Sequence, residues 1–232
     1  GAPQENLPQL IDIVAMFYPF RSLIGRAADE GTLPLWNPYI MSGAPFQANA
    51  QSALFAPINI LYYVLPLTIA WTANLVIRMF LAAIFMTLFV RAIGGSATGS
   101  ILSGILFALC GFTVQWQGMS NGESGIWLPL MCYSILRLHR EPSGKSIAIA
   151  GFAFAMPVLS GHPETAAHST AAACAIAVAL WLSPVRCGAR PFETRFALAF
   201  VFAGFLALGL ASVQMIPTLE WLGQLGLKIE EP

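Results

Sequence analysis

Hydrophobic and polar positions divide the chain near Pro66. Beyond it, apolar runs stand at about 67–93, 97–116, 122–139, 145–160, 164–182 and 196–218. They are separated by Gly94-Gly95-Ser96, the polar stretch Gly118 to Ser124, Glu141-Pro142-Ser143-Gly144, Gly161-His162-Pro163 and Ser183 to Arg195. Such breaks end helices, and runs of this length predict spans of a lipid bilayer. Gly99, Ser103, Gly104, Gly204 and Gly209 fit helices that pack closely in lipid. Residues 1–66 follow a different pattern. From Leu10 to Ala27, Ile13, Met16, Phe17, Phe20, Leu23 and Ile24 recur at helical spacing, which predicts an amphipathic helix on the membrane surface ending at Gly31. Two prolines in Leu33-Pro34-Leu35-Trp36-Asn37-Pro38-Tyr39 impose extended backbone, with Trp36 and Tyr39 suited to the headgroup zone. Gly43 to Gln51 reads as tight turns, and Ile58 to Leu65 is too short to span. The expected fold is all-α: a polytopic bundle of about six spans over residues 67–232, preceded by a large outer loop carrying interfacial helices.

Composition narrows the class further. Of 232 residues, 57% are hydrophobic and 9% charged, against roughly a quarter charged in soluble domains. With mean hydropathy of +0.70, a water-soluble globule is excluded, as is a disordered chain. Eleven basic residues balance eleven acids, so no basic excess exists to neutralise nucleic-acid phosphates. The four cysteines (Cys110, Cys132, Cys174, Cys187) have no metal-binding spacing and read as inert. The opening Gly1-Ala2-Pro3 and closing Glu230-Glu231-Pro232 read as the ends of a piece of a longer protein, with no signal peptide.

Sorting charge by side gives an orientation. Alternating spans put Arg91, Arg137, Arg140, Lys145, Arg186, Arg190 and Arg195 on one face with Glu141 and Glu193. The positive-inside rule makes that face cytoplasmic. Glu5, Asp12, Asp29, Glu30, Glu123, Glu164, Glu220, Glu230 and Glu231 fall outside, with Arg21, Arg26 and Lys228. The long first loop is therefore expected to be extracytoplasmic.

Several residues on that side could carry chemistry. Asp12, in an apolar stretch, is either a general base whose pKa is raised by low-dielectric surroundings or a solvated acid on a surface helix. The run before Gly161-His162-Pro163-Glu164-Thr165 is about 16 residues, roughly 24 Å, so this motif is expected in a recessed cavity. It reads as a proton relay or substrate pocket, or as a packed helix cap; the helix start at Pro163 could also receive a phosphate. Glu164 and His168 share a face, which leaves a divalent cation conceivable but matches no strong metal signature. Glu123 and Glu220 are either rim charges or, with Asp12 and Glu164, parts of an acidic ring. Arg78, inside a span, must pair with another helix, snorkel, or bind a lipid phosphate.

Six motifs resemble YfhO-like bacterial membrane proteins. They are Asp12 followed by Pro19-Phe20-Arg21; Leu33 to Tyr39; Ser42 to Phe46 with Ala48 to Ser52; Trp127-Leu128-Pro129-Leu130; Gly161 to Thr165; and Gln214-Met215-Ile216-Pro217-Thr218. The resemblance implies a GT-C-type glycosyltransferase fold, with a transmembrane helix ahead of Asp12 and further spans after Glu220. It also implies transfer of a sugar from a polyprenyl-phosphate donor to a cell-envelope acceptor, outside the bacterial cytoplasmic membrane. Asp12 falls at the position of the family's base. Arg21, Asn37, Gln51 and His162 become candidates for binding donor or acceptor, with Trp36 for stacking. Arg78, Glu123, Glu164 and Glu220 complete the expected substrate-binding set.

Two other classes compete. A flippase for a lipid-linked precursor would use the same recessed groups, but the chain has no inverted repeat. A non-catalytic scaffold would need no meeting of Asp12, His162 and Glu164 in one cavity.

Overall fold

The structure is a computed structural model that describes residues 7–182 and 194–229. Glu5, Arg186, Cys187, Arg190, Glu193, Glu230, Glu231 and the side chain of Lys228 lie outside the described residues. The chain is mostly helical, with one short antiparallel ladder pairing Trp36 with Pro45 and Asn37 with Ala44.

The loop segment opens with helix α1 (Leu7–Asp12), a π turn (Ile13–Phe17) and α2 (Tyr18–Asp29). Within the π turn the Tyr18 N–H bonds the Ile13 carbonyl, five residues back. Pro19 supplies the cause: it has no N–H for the Ala15 carbonyl, and its ring crowds that oxygen, so the preceding turn widens. α2 ends where the glycine pattern predicts. Gly31, at φ +67°, lets the Thr32 N–H reach the Ala27 carbonyl at 2.8 Å and its own N–H reach Ala28 at 3.0 Å. After the ladder come two 3-10 turns (Ala50–Ser52 and Pro57–Ile60) and α3 (Leu61–Val64). Phe20, Ile24, Phe46, Leu54, Tyr62 and Ala70 form a core of their own. Burying each larger apolar side chain there contributes about 1.5–3 kcal/mol, so this segment is folded rather than a tether.

The bundle contains α4 (Leu67–Ala92), α5 (Ala97–Ala108), α6 (Gly111–Gln115), α7 (Ser120–Gly125), α8 (Leu128–Arg140), α9 (Gly144–Leu159), α10 (Pro163–Leu182) and α11 (Thr194–Ile229). Among the described residues four stretches are long and apolar enough to cross a membrane: Leu67–Ala92, Ala97–Gln115, Pro163–Leu182 and Thr194–Leu225. The six expected spans are thus reduced. The run at 122–139 is broken into α7 and a 13-residue α8, and α9 has 16 residues. The break follows from the polar Ser120, Glu123 and Ser124, which turn inward to partners instead of continuing one helix. α8 is the centre of the bundle: Met131, Ile135 and Leu138 are fully buried against alanines of α9, α10 and α11. Arg140, at its end, donates to the Ala92 carbonyl of α4, so the basic residues Arg91, Arg140 and Lys145 gather at the end opposite the loop.

The loop seats on the bundle through residues 47–52. Gln214 of α11 donates to the Gln47 carbonyl at 2.7 Å, and Thr218 to the Ala48 carbonyl at 2.8 Å. Pro217 leaves the Val213 carbonyl without its helical donor, and Gln47 Nε2 takes that place at 3.3 Å. Ser120 donates to the Gln51 carbonyl at 3.1 Å, and Arg21 to the Ser52 carbonyl. Gly161 has φ +92°, and a Cβ there would stand 2.4 Å from the Ala50 carbonyl oxygen. Gly161→Ala is therefore expected to destabilise the protein by about 1–3 kcal/mol more than Gly94→Ala. Gly94 shares the left-handed backbone at φ +98° but has nothing within 4 Å of the added methyl. Unfolding midpoints of the two variants in detergent check this.

Candidate functional site

Beneath the loop, α2, α4 and α7 meet at a buried cluster of charge. Arg21, Arg78 and Glu123 are 1%, 3% and 0% exposed. Glu123 Oε2 accepts from Arg78 and lies 3.5 Å from Arg21 Nη2. Arg78 also donates to the Met119 carbonyl at 3.3 Å, and the Arg21 guanidinium sits 5.5 Å from the centre of the Tyr62 ring. Burial lowers the Arg21 pKa below its ordinary value, while Glu123 pulls it back up; burial raises that of Tyr62. Beside the cluster, Asn74 of α4 donates to Asn59 Oδ1 at 2.9 Å, and Asn59 to the Ala53 carbonyl at 2.8 Å.

This geometry changes three expectations. Arg78 pairs with another helix, so it is not free for a lipid phosphate. Arg21 is equally enclosed and does not face a donor. Glu123 leaves the expected acidic ring, because two guanidiniums buried without a carboxylate would each cost several kcal/mol.

The remaining candidates spread over the loop end. Asp12 is exposed on the protein surface beside the exposed Leu10, Ile11 and Val14, and stands immediately before the π turn. Its neighbour Ile13 reaches toward Gly118 beside Trp71, and Trp71 packs edge-on against Tyr18 with ring centres 5.4 Å apart. Next to Gly118, both amide atoms of Gln117 are buried without a hydrogen-bond partner among the described residues. Trp36 is exposed, whereas Asn37 is buried and its Oδ1 accepts from the Tyr39 N–H at 3.0 Å, holding the turn. Gln51 is half-buried, and its N–H bonds Asn49 Oδ1 at 3.0 Å.

His162 is used structurally. Its Nδ1 accepts from the Thr165 N–H at 3.2 Å and the Thr165 hydroxyl at 2.8 Å, which caps α10 and leaves the proton on Nε2. Its own N–H bonds Ser124 Oγ at 3.2 Å, and Ser124 donates to the Pro157 carbonyl at 2.9 Å. Glu164 is exposed in the first turn of α10, where a carboxylate suits the helix dipole, and Glu220 is exposed on α11. Among the described residues no three His, Cys, Asp or Glu side chains gather as a metal would need.

Between α10 and α11 lies a cleft of about 610 Å³, bounded by Ala50, Pro163, Ala167, Gln214 and Thr218 among others. Neither Asp12, His162 nor Glu164 lines it. A separate groove of about 390 Å³ lies along Arg26, Glu30, Trp36 and Tyr39, where Arg26 stands 5.1 Å over the Tyr39 ring. Residues 12 to 26 are fourteen helical steps, about 21 Å, so Arg26 and Asp12 do not share one site.

Arg26 and Gln214, noted in the sequence only as a charge and as part of a motif, and Gln47 and Gln117 are the polar residues here that were not among the expected site residues. The signal for Gln214 was available: an amide inside an apolar span, one turn before a proline. Compared with protein-family models, curated proteins and solved structures, the chain matches none.

Two predictions follow from this geometry. Glu123→Gln leaves two buried guanidiniums unpaired and is expected to cost about 3–5 kcal/mol. A double-mutant cycle with Arg78→Gln, read from unfolding in detergent, is expected to return a coupling of about 1–3 kcal/mol. Burial also lowers the His162 pKa from its ordinary 6.5, with Glu164 opposing. The unfolded chain therefore takes up this proton first, and the cap's contribution is whole above pH ~6.5 and lost as pH falls through the lowered value. The wild-type unfolding midpoint should drop more steeply than that of His162→Asn, which keeps a capping oxygen and does not titrate, between about pH 7 and pH 5.

Proposed function

We propose that this protein is a membrane glycosyltransferase of the YfhO-like, GT-C type. It moves a sugar from a polyprenyl-phosphate donor to an envelope acceptor on the extracytoplasmic face of a bacterial cytoplasmic membrane. The observation that carries this reading is Asp12: an exposed carboxylate directly before a π turn, on a helix that Arg21 ties to the bundle. π turns cost stability and occur at functional sites, and rigid support is what a general base needs. Asp12 would deprotonate an acceptor hydroxyl as the sugar leaves its phosphate. Tyr18 and Trp71, which pack edge-on against one another, offer aromatic surface to a sugar ring. Arg21 and Arg78 act on the fold, through Glu123, rather than on the phosphate.

A second reading, a non-catalytic lipid-binding membrane protein, is favoured by the separation of Asp12 from the cleft between α10 and α11. One assay divides the two. With the full chain in vesicles and a polyprenyl-phosphate sugar as donor, Asp12→Asn is expected to lower transfer by about 100-fold or more. Membrane insertion and the unfolding midpoint should stay unchanged, because Asp12 is exposed. Undiminished transfer in the variant removes Asp12 as base, and absence of transfer by the wild type favours the second reading.

A further inference from the structure

The cleft between α10 and α11 is not used by the chemistry above. Two of the four stretches that can cross a membrane form its walls, so its mouth opens toward lipid. On the α10 side Pro163, Ala167 and Ala171 are small and exposed; on the α11 side Gln214 is succeeded by Leu219 and Leu222. Residues 163–171 and 214–222 each span eight helical steps, about 12 Å. No acidic or basic side chain is among the lining residues. A smaller hollow of about 220 Å³ lies further along the same helix pair, at Cys174, Trp181, Phe196 and Phe200. This much describes an apolar slot of aliphatic width.

Gln214 makes the slot selective. Its side chain is fully buried and lines the cleft at the loop end. Its Nε2 donates to the Gln47 carbonyl at 2.7 Å and approaches Thr218 Oγ1 at 3.1 Å. A carbonyl can only accept, so the amide cannot be turned, and Oε1 is left as the buried acceptor. That oxygen has no hydrogen-bond partner among the described residues. A buried acceptor without a donor is costly, and a hydroxyl held in the cleft that Gln214 lines would relieve it.

The geometry points to a binding site for an uncharged membrane lipid whose head carries a free hydroxyl. One aliphatic chain lies between α10 and α11, and the hydroxyl donates to Gln214 Oε1. The uncharged lining gives an anionic head no counter-charge, which sets this ligand apart from the phosphate-bearing donor. The site stands whether or not the protein transfers sugar.

The probe is a diacylglycerol with a diazirine on one chain, added to the full chain in phosphatidylcholine vesicles and photolysed. Its methyl ether and the phosphatidic acid of the same chains are run in parallel. The free-hydroxyl probe is expected to label residues 163–171 and 214–222 about five-fold or more above the methyl ether and the phosphatidic acid. Ala171→Trp, at an exposed small residue, is expected to abolish that labelling while leaving the unfolding midpoint in place. Gln214→Met is expected to erase the preference for hydroxyl over methyl ether. Because Gln214 also seats the loop, Ala171→Trp carries the test if Gln214→Met does not fold. Equal labelling by all three probes, or labelling spread along every lipid-facing helix, overturns the site and makes the cleft a place for bulk lipid only.

Discussion

A backbone that leaves helical geometry beside the ends of membrane helices must find an outside partner for each carbonyl it no longer bonds internally. Residues 47–52 are that backbone, and much of the loop end is arranged to serve it. Gln214 and Thr218 reach it from α11, Ser120 from α7 and Arg21 from α2, each with a donor on a different carbonyl. Gly161 completes the ring by bringing the turn before α10 against the Ala50 carbonyl without a side chain between. Loop and bundle are therefore joined by main-chain oxygens, which demand shape as well as chemistry from their partners.

The charge cluster answers to the same demand. Arg21 reaches its carbonyl at Ser52 only by entering the protein, and a guanidinium there needs a carboxylate. Glu123 supplies it, and supplies it to Arg78 as well, which ties the first long span to the loop through a single oxygen. The pairing leaves one formal positive charge in excess and leaves Arg78 Nε and Glu123 Oε1 without hydrogen bonds among the described residues. Such an arrangement contributes little net stability compared with apolar packing, but it penalises any other seating of the loop. Its value lies in specificity of assembly.

How much could be read in advance depended on the range of the interaction. Continuous apolar runs identified α4, α10 and α11 because every residue of a lipid-facing helix contributes to the signal. The end of α2 was legible at Gly31 because a helix cap is local. The segment 122–139 misled because hydropathy counts Glu123 and Ser124 as small interruptions, whereas pairing with residues 45 and 33 positions away bends the chain around them. Asp12, Trp36, Glu164 and Glu220 stand toward the loop end, but the neighbours each of them meets were not legible in the sequence. The meeting of Gln47 with α11 joins residues 166 and 167 apart, and no periodicity encodes it.

α11 has 36 residues, about 54 Å at helical rise, against a hydrocarbon core of about 30 Å. A rod so much longer than the bilayer must tilt or protrude, and the balance shifts with membrane thickness. Here the rod is clamped a little past its middle, where Gln214 and Thr218 hold the loop. Because α11 is also packed against α9, a thicker or thinner bilayer would load the joint between helix and loop rather than leave the rod free to swing. Where that load falls is set by the helix's length and by Pro217, whose missing N–H opens the Val213 carbonyl to Gln47.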